Sequence, residues 1–259
     1  MPVRGPTKIL SAIASWVYAT FDRLQALFTR LLLHTPSGRT EFFDPADFPW
    51  IADVEARADE IQAELDGLLA EVDRLPNFQD IQEEQRQLTQ DDRWKVFPFY
   101  AYGGRADSNC QQCPRTAEIV ESIPGMTTAL FSVLLPHKHI PPHKGPWKGV
   151  LRYHLALRTP ADESLARIRV GESIQQWSAG RSMVFDDTFE HEVWNDSDDT
   201  RVVLFVDVIR QLPWYLAIPN RAFIGAIRRS PYIRRALANT EAWQETLGSQ
   251  ITADTEPPR

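Results

Sequence analysis

Cysteine is nearly absent: Cys110 and Cys113 are the two in 259 residues, so no disulfide framework holds this chain together and a reducing cytoplasm is the expected compartment. Positive charge is also scarce, with 28 basic against 35 acidic residues and a net charge of −7. That balance excludes the broadly basic surface that nucleic-acid binding requires. No apolar run reaches the ~20 uninterrupted residues of a membrane-spanning helix, because the best candidate, residues 8–33, is broken by Asp22, Arg23 and Arg30. No small-residue cleavage site follows it, so a removable leader is not expected. Internal repeats and low-complexity tracts are missing too. What is present, 43% hydrophobic and 24% charged residues, suffices for a buried core, and at roughly 150 residues per domain the chain is one large domain or a core with appendages.

The texture changes along the chain. Residues 8–33 place Ile9, Ile13, Trp16, Val17, Phe21, Leu24, Leu27, Phe28 and Leu31 at three- and four-residue steps, one apolar helical face that suits either the protein's own core or a membrane interface. Residues 46–92, acidic and poor in glycine, predict one long helix and a shorter one after the break at Leu75-Pro76-Asn77. From Trp94 the pattern turns to short β-rich stretches, VFPFYAY, TTALFSVLLP, GVLRYHLAL, ARIRV, SMVFD and RVVLFVDVI. No amphipathic helix of 10 to 15 residues separates them, which favours a β-sandwich or barrel over a parallel α/β sheet. The tail has no acidic residue between Val208 and Thr240, yet holds Arg210, Arg221, Arg228, Arg229, Arg234 and Arg235 interleaved with aromatic and aliphatic residues. Ser230-Pro231 reads as a cap and first helical position, so two short helices are expected. Their arginines suit either the acidic segment 46–92 or an anionic membrane.

Of six histidines, five fall between 137 and 191: His137, His139, His143, His154 and His191. Several imidazoles on the strands and rim of a barrel suggest a metal cup, suited to iron, copper, nickel or zinc. The lone Cys110-Gln-Gln-Cys113 lacks the second pair of a zinc knuckle and reads as a loop before a helix from Pro114 to Ile123. Tyr102-Gly103-Gly104 lacks the strand-loop-helix setting of a phosphate loop.

The stretches SVLLPHKHIPPHKGPWKGVLRYHLALRTP and RIRVGESIQQWSAGRSMVFDDTFEHEVWNDSDDTRVVLFVDV, above all FDDTFEHEVWN with an arginine six residues after the asparagine, resemble the aspartyl/asparaginyl β-hydroxylase family of Fe(II)- and 2-oxoglutarate-dependent dioxygenases. That family includes peptide aspartyl hydroxylases and membrane-associated lipid A acyl-chain hydroxylases. The resemblance covers about residues 127–210 and implies a mainly β core, a double-stranded β-helix (jelly roll, cupin-like) flanked by N-terminal and C-terminal α-helices. It implies His143 and His191 as iron ligands, Arg201 and Ser132 at the far carboxylate of 2-oxoglutarate, His154 at its near carboxylate, and Arg152 facing the substrate. A second family arginine is replaced by Val150. Gly145 stands where a facial triad would place its acid, as in the peptide hydroxylases, so the resemblance implies a two-histidine centre. Asp186, Asp187, Glu190 and Glu192 are candidates to act from behind those ligands, or simply turn residues. His137 and His139 belong to the rim.

The expected organisation is an amphipathic N-terminal helix (1–35), an acidic helical segment (36–92), the β-helix domain (93–212) and a basic amphipathic tail (213–259). The expected activity is hydroxylation of an unactivated carbon of a peptide or amino acid with Fe(II), 2-oxoglutarate and O₂ by an aspartyl/asparaginyl β-hydroxylase-type enzyme, since Gly145 favours a peptide-type iron centre. A lipid A-type acyl-chain hydroxylase at the membrane surface is the alternative, and no nucleic-acid partner is expected. A cytoplasmic location is expected, peripheral on the inner face of an anionic membrane if the two ends bind lipid. The non-enzymatic alternative is a silent cupin-like module attached to membranes by those ends.

Overall fold

The computed structural model describes residues 23–255. Contacts divide the chain into a unit ending at Thr40 and a unit beginning at Glu41, each taken by itself. In the first, helix α1 covers residues 23–32. Phe28 and Leu32 are buried, whereas Leu24, Leu27, Leu31 and Leu33 are exposed. The rest of the expected helix, residues 8–22, lies outside the described residues. A 3₁₀ turn at Pro36–Arg39 follows, and Gly38 is needed there because a Cβ would lie 2.0 Å from the Leu32 carbonyl oxygen.

The second unit is built on two antiparallel sheets. In chain order its strands are β1 (Phe42–Phe43), β2 (Trp94–Ala101), β3 (Gly104–Arg105), β4 (Met126–Leu134), β5 (Lys138–His143), β6 (Val150–Arg158), β7 (Ala166–Val170), β8 (Ser173–Gln176), β9 (Ser182–Phe185), β10 (His191–Asn195) and β11 (Arg201–Ile209). The larger sheet runs β1-β9-β6-β11-β4-β2-β3 and the smaller β5-β10-β7-β8. From β4 onward the chain crosses repeatedly between the two sheets, and the β4 to β11 strands form the double-stranded β-helix expected from the sequence.

Strand periodicity sorts the side chains of the large sheet into two layers. On β11, Val202, Leu204, Val206 and Val208 join Phe97, Phe99, Phe131 and Tyr153 in a core on the outer face. Helices α2 (Trp50–Ala56), α3 (Ala58–Leu69), α5 (Asp107–Gln112) and α6 (Pro114–Ser122), with α4 (Phe78–Ile81) introduced between α3 and β2, surround this face, and Ile51, Ile61, Leu65 and Val120 reach into the same core. The alternate set faces the interior between the sheets, where Val96, Leu130, Ile168, Phe185, Val193 and Val203 pack. Arg152, His154, Arg201 and Asp207 fall on that interior parity.

Three expectations are corrected. The acidic segment does not form one long helix: Arg57 leaves the helical conformation (φ −107°, ψ 14°) and separates α2 from α3, its side chain forking to Glu60 and Glu118. The second tail helix is not short; α7 (Trp214–Arg228) is followed by α8 (Pro231–Thr255), whose Asn239 and Trp243 donate to the backbone carbonyls of Ile81 and Arg74. Arg210 is not a surface charge but a buried one, paired with Asp186.

Candidate active site

The site begins at one register position. His143 ends β5, His191 begins β10, and the two are directly paired across the antiparallel ladder, with ring centroids 4.1 Å apart. Pro141 and Pro142 fit within β5 because it is an edge strand. Each ring is fixed in the same way: Nδ1 of His143 donates to the Pro141 carbonyl at 2.8 Å and Nδ1 of His191 to the Phe189 carbonyl at 3.0 Å. A carbonyl only accepts, so Nδ1 carries the proton and Nε2 the lone pair. Burial lowers both pKa values, that of His191 to about 3 with help from His143 and Arg152. Both rings are therefore neutral at pH 7, the state in which imidazole ligates a metal ion. Among the described residues no group of three or more His, Cys, Asp or Glu side chains converges on one point.

Gly145 is explained by its neighbour. Its N–H donates to the Asp187 carbonyl at 2.7 Å, and a Cβ on it would lie 1.9 Å from Asp187 Oδ2. The acid next to the histidines thus comes from the turn between β9 and β10, not from position 145. Asp187 is 1% exposed, and burial pushes its carboxyl up to about 6 against the pull of Arg152. Arg152 meets Asp187 at 2.9 Å and Asp207 at 2.9 Å, with its guanidinium 4.1 Å from the Phe205 ring. Asp186, one residue earlier, faces a different pair of cations, Lys148 at 2.7 Å and Arg210, and also accepts from Thr188 N–H and Oγ1. Glu190 and Glu192 pair with Arg169, and Glu192 also with His139. Of the four acids singled out in the sequence, Asp187 is the one placed against Gly145.

Deeper in the barrel lies a second set of groups. Arg201 is 2% exposed, lies 4.5 Å from the Trp177 ring centroid and donates to the Ser132 carbonyl at 3.4 Å. No ion pair neutralises it among the described residues, its Nε has no hydrogen-bond partner, and burial alone pushes its pKa down to about 9. Ser132 Oγ accepts from Trp94 Nε1 at 3.1 Å. His154 packs among Trp177, Phe185 and Phe205, and neither of its ring nitrogens has a partner. Its pKa falls well below the ordinary value through burial and the nearby arginines. Trp177 Nε1 is buried and unpartnered as well. A buried charge without a counter-ion costs several kcal/mol. Here one such cation, Arg201, lies beside two uncharged groups with unpartnered nitrogens, His154 and Trp177, an arrangement able to take up a small anion.

The sequence-predicted residues therefore separate into a histidine pair (His143, His191), an anion pocket (Arg201, Ser132, His154) and a charge cluster (Arg152). Trp177, Asp207 and Lys148 were not singled out in the sequence; a tryptophan or an acid inside a β pattern carries no local signal of its partners. His139 lies outside the barrel, stacked on Trp194 at 5.4 Å, and His137 stands just before β5 in the left-handed region (φ 57°), paired with Asp198, not on an extended strand. Cys110 ends up in α5, not a loop, and burial pushes the Cys110 and Cys113 thiols up to about 11 and about 12.

Comparison with known proteins identifies the family. The family model described as aspartyl/asparaginyl beta-hydroxylase matches residues 55–211. The ornithine lipid ester-linked acyl 2-hydroxylase of Rhizobium tropici is 36% identical over 253 residues, 98% of this chain and 86% of that one. The human aspartyl/asparaginyl beta-hydroxylase is 33% identical over 130 residues, 48% of this chain but only 17% of its own length. Among solved structures, a cupin 2 conserved barrel domain protein from Salinispora arenicola CNS-205 aligns over 54% of this chain and 92% of its own at 11% identity, with a TM-score of 0.31. With a match spanning more than half of its length and a relative alignable almost end to end, the chain belongs to the aspartyl/asparaginyl β-hydroxylase family and is a hydroxylase.

Proposed function

We propose that the protein is an Fe(II)- and 2-oxoglutarate-dependent dioxygenase that hydroxylates an acyl chain of a lipid. The observation that carries the cofactor assignment is the unneutralised, fully enclosed Arg201 in the same barrel as two neutral, Nδ1-anchored histidines. The residues fit the groups. His143 and His191 present Nε2 to iron. Arg201 offers a planar fork to the far carboxylate of 2-oxoglutarate, with Trp177 and the Ser132 hydroxyl beside it. His154, neutral and without a protein partner, keeps one N–H for the near carboxylate. Phe185, Phe205 and Val203 exclude water from this pocket, which strengthens each charge-assisted contact. Bound iron with 2-oxoglutarate supplies O₂ activation, coupling decarboxylation of the co-substrate to insertion of one oxygen atom into a C–H bond.

The substrate class rests on two further observations. The guanidinium of Arg152 is shared between Asp187 and Asp207, and Val150 replaces the second family arginine, so neither of these two positions offers a free cation to an acidic peptide side chain. The likeness to the lipid acyl hydroxylase extends over 98% of the chain, beyond the barrel into both helical ends.

The test is succinate release from 2-oxoglutarate by purified enzyme with Fe(II) under air, in the presence of a lipid extract, with mass spectrometry of the lipids. Succinate that requires iron, together with a lipid one oxygen atom heavier, is expected. Hydroxylation of an Asp-containing peptide with no change in any lipid would move the substrate to the peptide class. No succinate under any condition would return the chain to a silent binding module.

A further inference from the structure

We infer that the outward face of α7 is a docking surface for an anionic lipid bilayer, seated beside the loop that carries Gly145. This deepens the lipid-substrate reading and rests on it only for the choice of substrate.

Helix periodicity divides α7 cleanly. One face carries Leu216, Asn220 and Ile224, all buried. Asn220 holds that face to the barrel: its Nδ2 donates to the Gly149 carbonyl at 2.7 Å and its Oδ1 accepts from Trp147 Nε1 at 2.7 Å, while Trp147 stacks on Phe223 at 3.7 Å. The segment so clamped, residues 147–149, follows directly on Gly145 and includes Lys148, which grips Asp186 and Thr188 beside the site. The other face is laid open. Trp214, Tyr215 and Ile218 at its first turns are 75%, 54% and 64% exposed, more area than a helix at rest in water usually leaves bare. Arg221, Arg228 and Arg229 are exposed further along the helix, and Arg234 and Arg235 at the start of α8 are exposed too.

Charge decides what covers this face. From Val208 to Thr240 the sequence has no acidic residue, so the exposed side chains of this stretch bring positive charge alone in a protein of net charge −7. A second copy of the chain would bring the same positive face and repel it. An anionic bilayer meets both features: the aromatic and aliphatic side chains insert at the headgroup level while the arginines meet lipid phosphates. Trp214 lies four residues beyond Arg210, which pairs with Asp186, so the inserted end stands within about 14 Å of chain length from the groups lining the site. Among the described residues no helix is long and apolar enough to cross a membrane, and α7 would lie on the surface.

The experiment is co-sedimentation of the full chain with vesicles of phosphatidylcholine alone or mixed with phosphatidylglycerol, at low and high salt. Binding should rise with phosphatidylglycerol and fall with salt. Each Arg→Gln change at Arg221, Arg228 or Arg229 should lower the partition coefficient about fivefold, the equivalent of about 1 kcal/mol per arginine near the surface. W214A/I218A should weaken binding to both vesicle types and, with circular dichroism unchanged, should keep succinate release on detergent-dispersed lipid. Binding that ignores phosphatidylglycerol, or that these variants leave unchanged, would overturn the inference. So would a dimer in light scattering that W214A/I218A dissolves, which would assign the face to a second copy. Vesicle binding with no lipid hydroxylated would leave the surface standing and remove the substrate reading, whereas hydroxylation of detergent-dispersed lipid without vesicle binding would do the reverse.

Discussion

Replacing Arg201 by methionine should move stability and ligand affinity in opposite directions. Among the described residues this guanidinium has no counter-ion, and burial has pushed its pKa down to about 9, so it is held at a cost. Exchanging buried ionic groups for apolar ones of similar volume gains about 1 to 4 kcal/mol. At about 2 to 4 °C per kcal/mol for a chain of this size, Arg201→Met should raise the Tm of the ligand-free protein by roughly 2 °C or more. With 2-oxoglutarate the same change removes one partner of an enclosed charge pair, a loss of about 2 to 5 kcal/mol. The co-substrate should then bind roughly thirty to several thousand times more weakly. Differential scanning calorimetry with and without 2-oxoglutarate, under anaerobic conditions with Fe(II), reads both effects at once. The wild type should gain thermal stability from the ligand; the variant should start higher and gain almost nothing. An arginine that merely packs against Trp177 would give the opposite result, a lower Tm with co-substrate affinity unchanged, and that would refute the assignment.

Other outcomes follow from the same geometry. His143→Ala and His191→Ala should each abolish iron binding, read by Mn(II) electron paramagnetic resonance as well as by turnover, with the fold intact. Trp177→Phe keeps the stacked ring but removes the unpartnered Nε1 donor, so it should weaken 2-oxoglutarate binding about tenfold or more, a typical loss for one hydrogen bond to a charged group, measured by calorimetric titration. Gly145→Asp should inactivate the enzyme, because its Cβ would lie 1.9 Å from Asp187 Oδ2, and the double change Gly145→Asp with Asp187→Gly should recover metal binding. Cys110 and Cys113, with thiols pushed up to about 11 and about 12, should resist alkylation at pH 8 in the native protein and react once it is unfolded.

The parts of the fold legible in sequence are those with an apolar signature. β4, β6 and β11 are buried on both faces and read as long apolar runs, β9 is a short version of the same signal, and β7 shows the other signature, apolar residues alternating with Arg167 and Arg169. β10 carried no such signal, because in His-Glu-Val-Trp-Asn the inward positions are His191, Val193 and Asn195, two of them polar. β5 was masked by Pro141-Pro142, acceptable only on the edge of the small sheet. In β10 one of the two residues that spoil the strand pattern is His191, a residue of the site, whereas in β5 it is the prolines beside His143. Arg210 was misplaced for a different reason. Its neighbours in the tail are exposed arginines, and nothing local signals that Asp186, 24 residues earlier, draws this one inside. The partners of Arg152 were equally invisible, since Asp187 reaches it from the turn after β9 and Asp207 from β11.

That cluster bears on how the proposed centre of two neutral histidines would hold a doubly charged ion. Neutral imidazoles leave the whole charge of a divalent metal uncompensated, whereas a facial triad would supply one carboxylate directly. Here Asp187 occupies the space a side chain at position 145 would take, and Arg152 joins it to Asp207 in a group of two carboxylates and one guanidinium. One Arg and two ionised Asp sum to a single negative charge, the same charge the triad's acid would bring, spread over three side chains and anchored to β6 and β11. Gly145 and Asp187 are thus one structural choice. The glycine leaves room, the aspartate fills it from the opposite strand end, and Arg152 is committed to holding the aspartate in place, which removes it as a receptor for an acidic substrate. On the proposed lipid reading the substrate offers acyl carbons and needs no such receptor, so the commitment of Arg152 to the two aspartates is consistent with that reading.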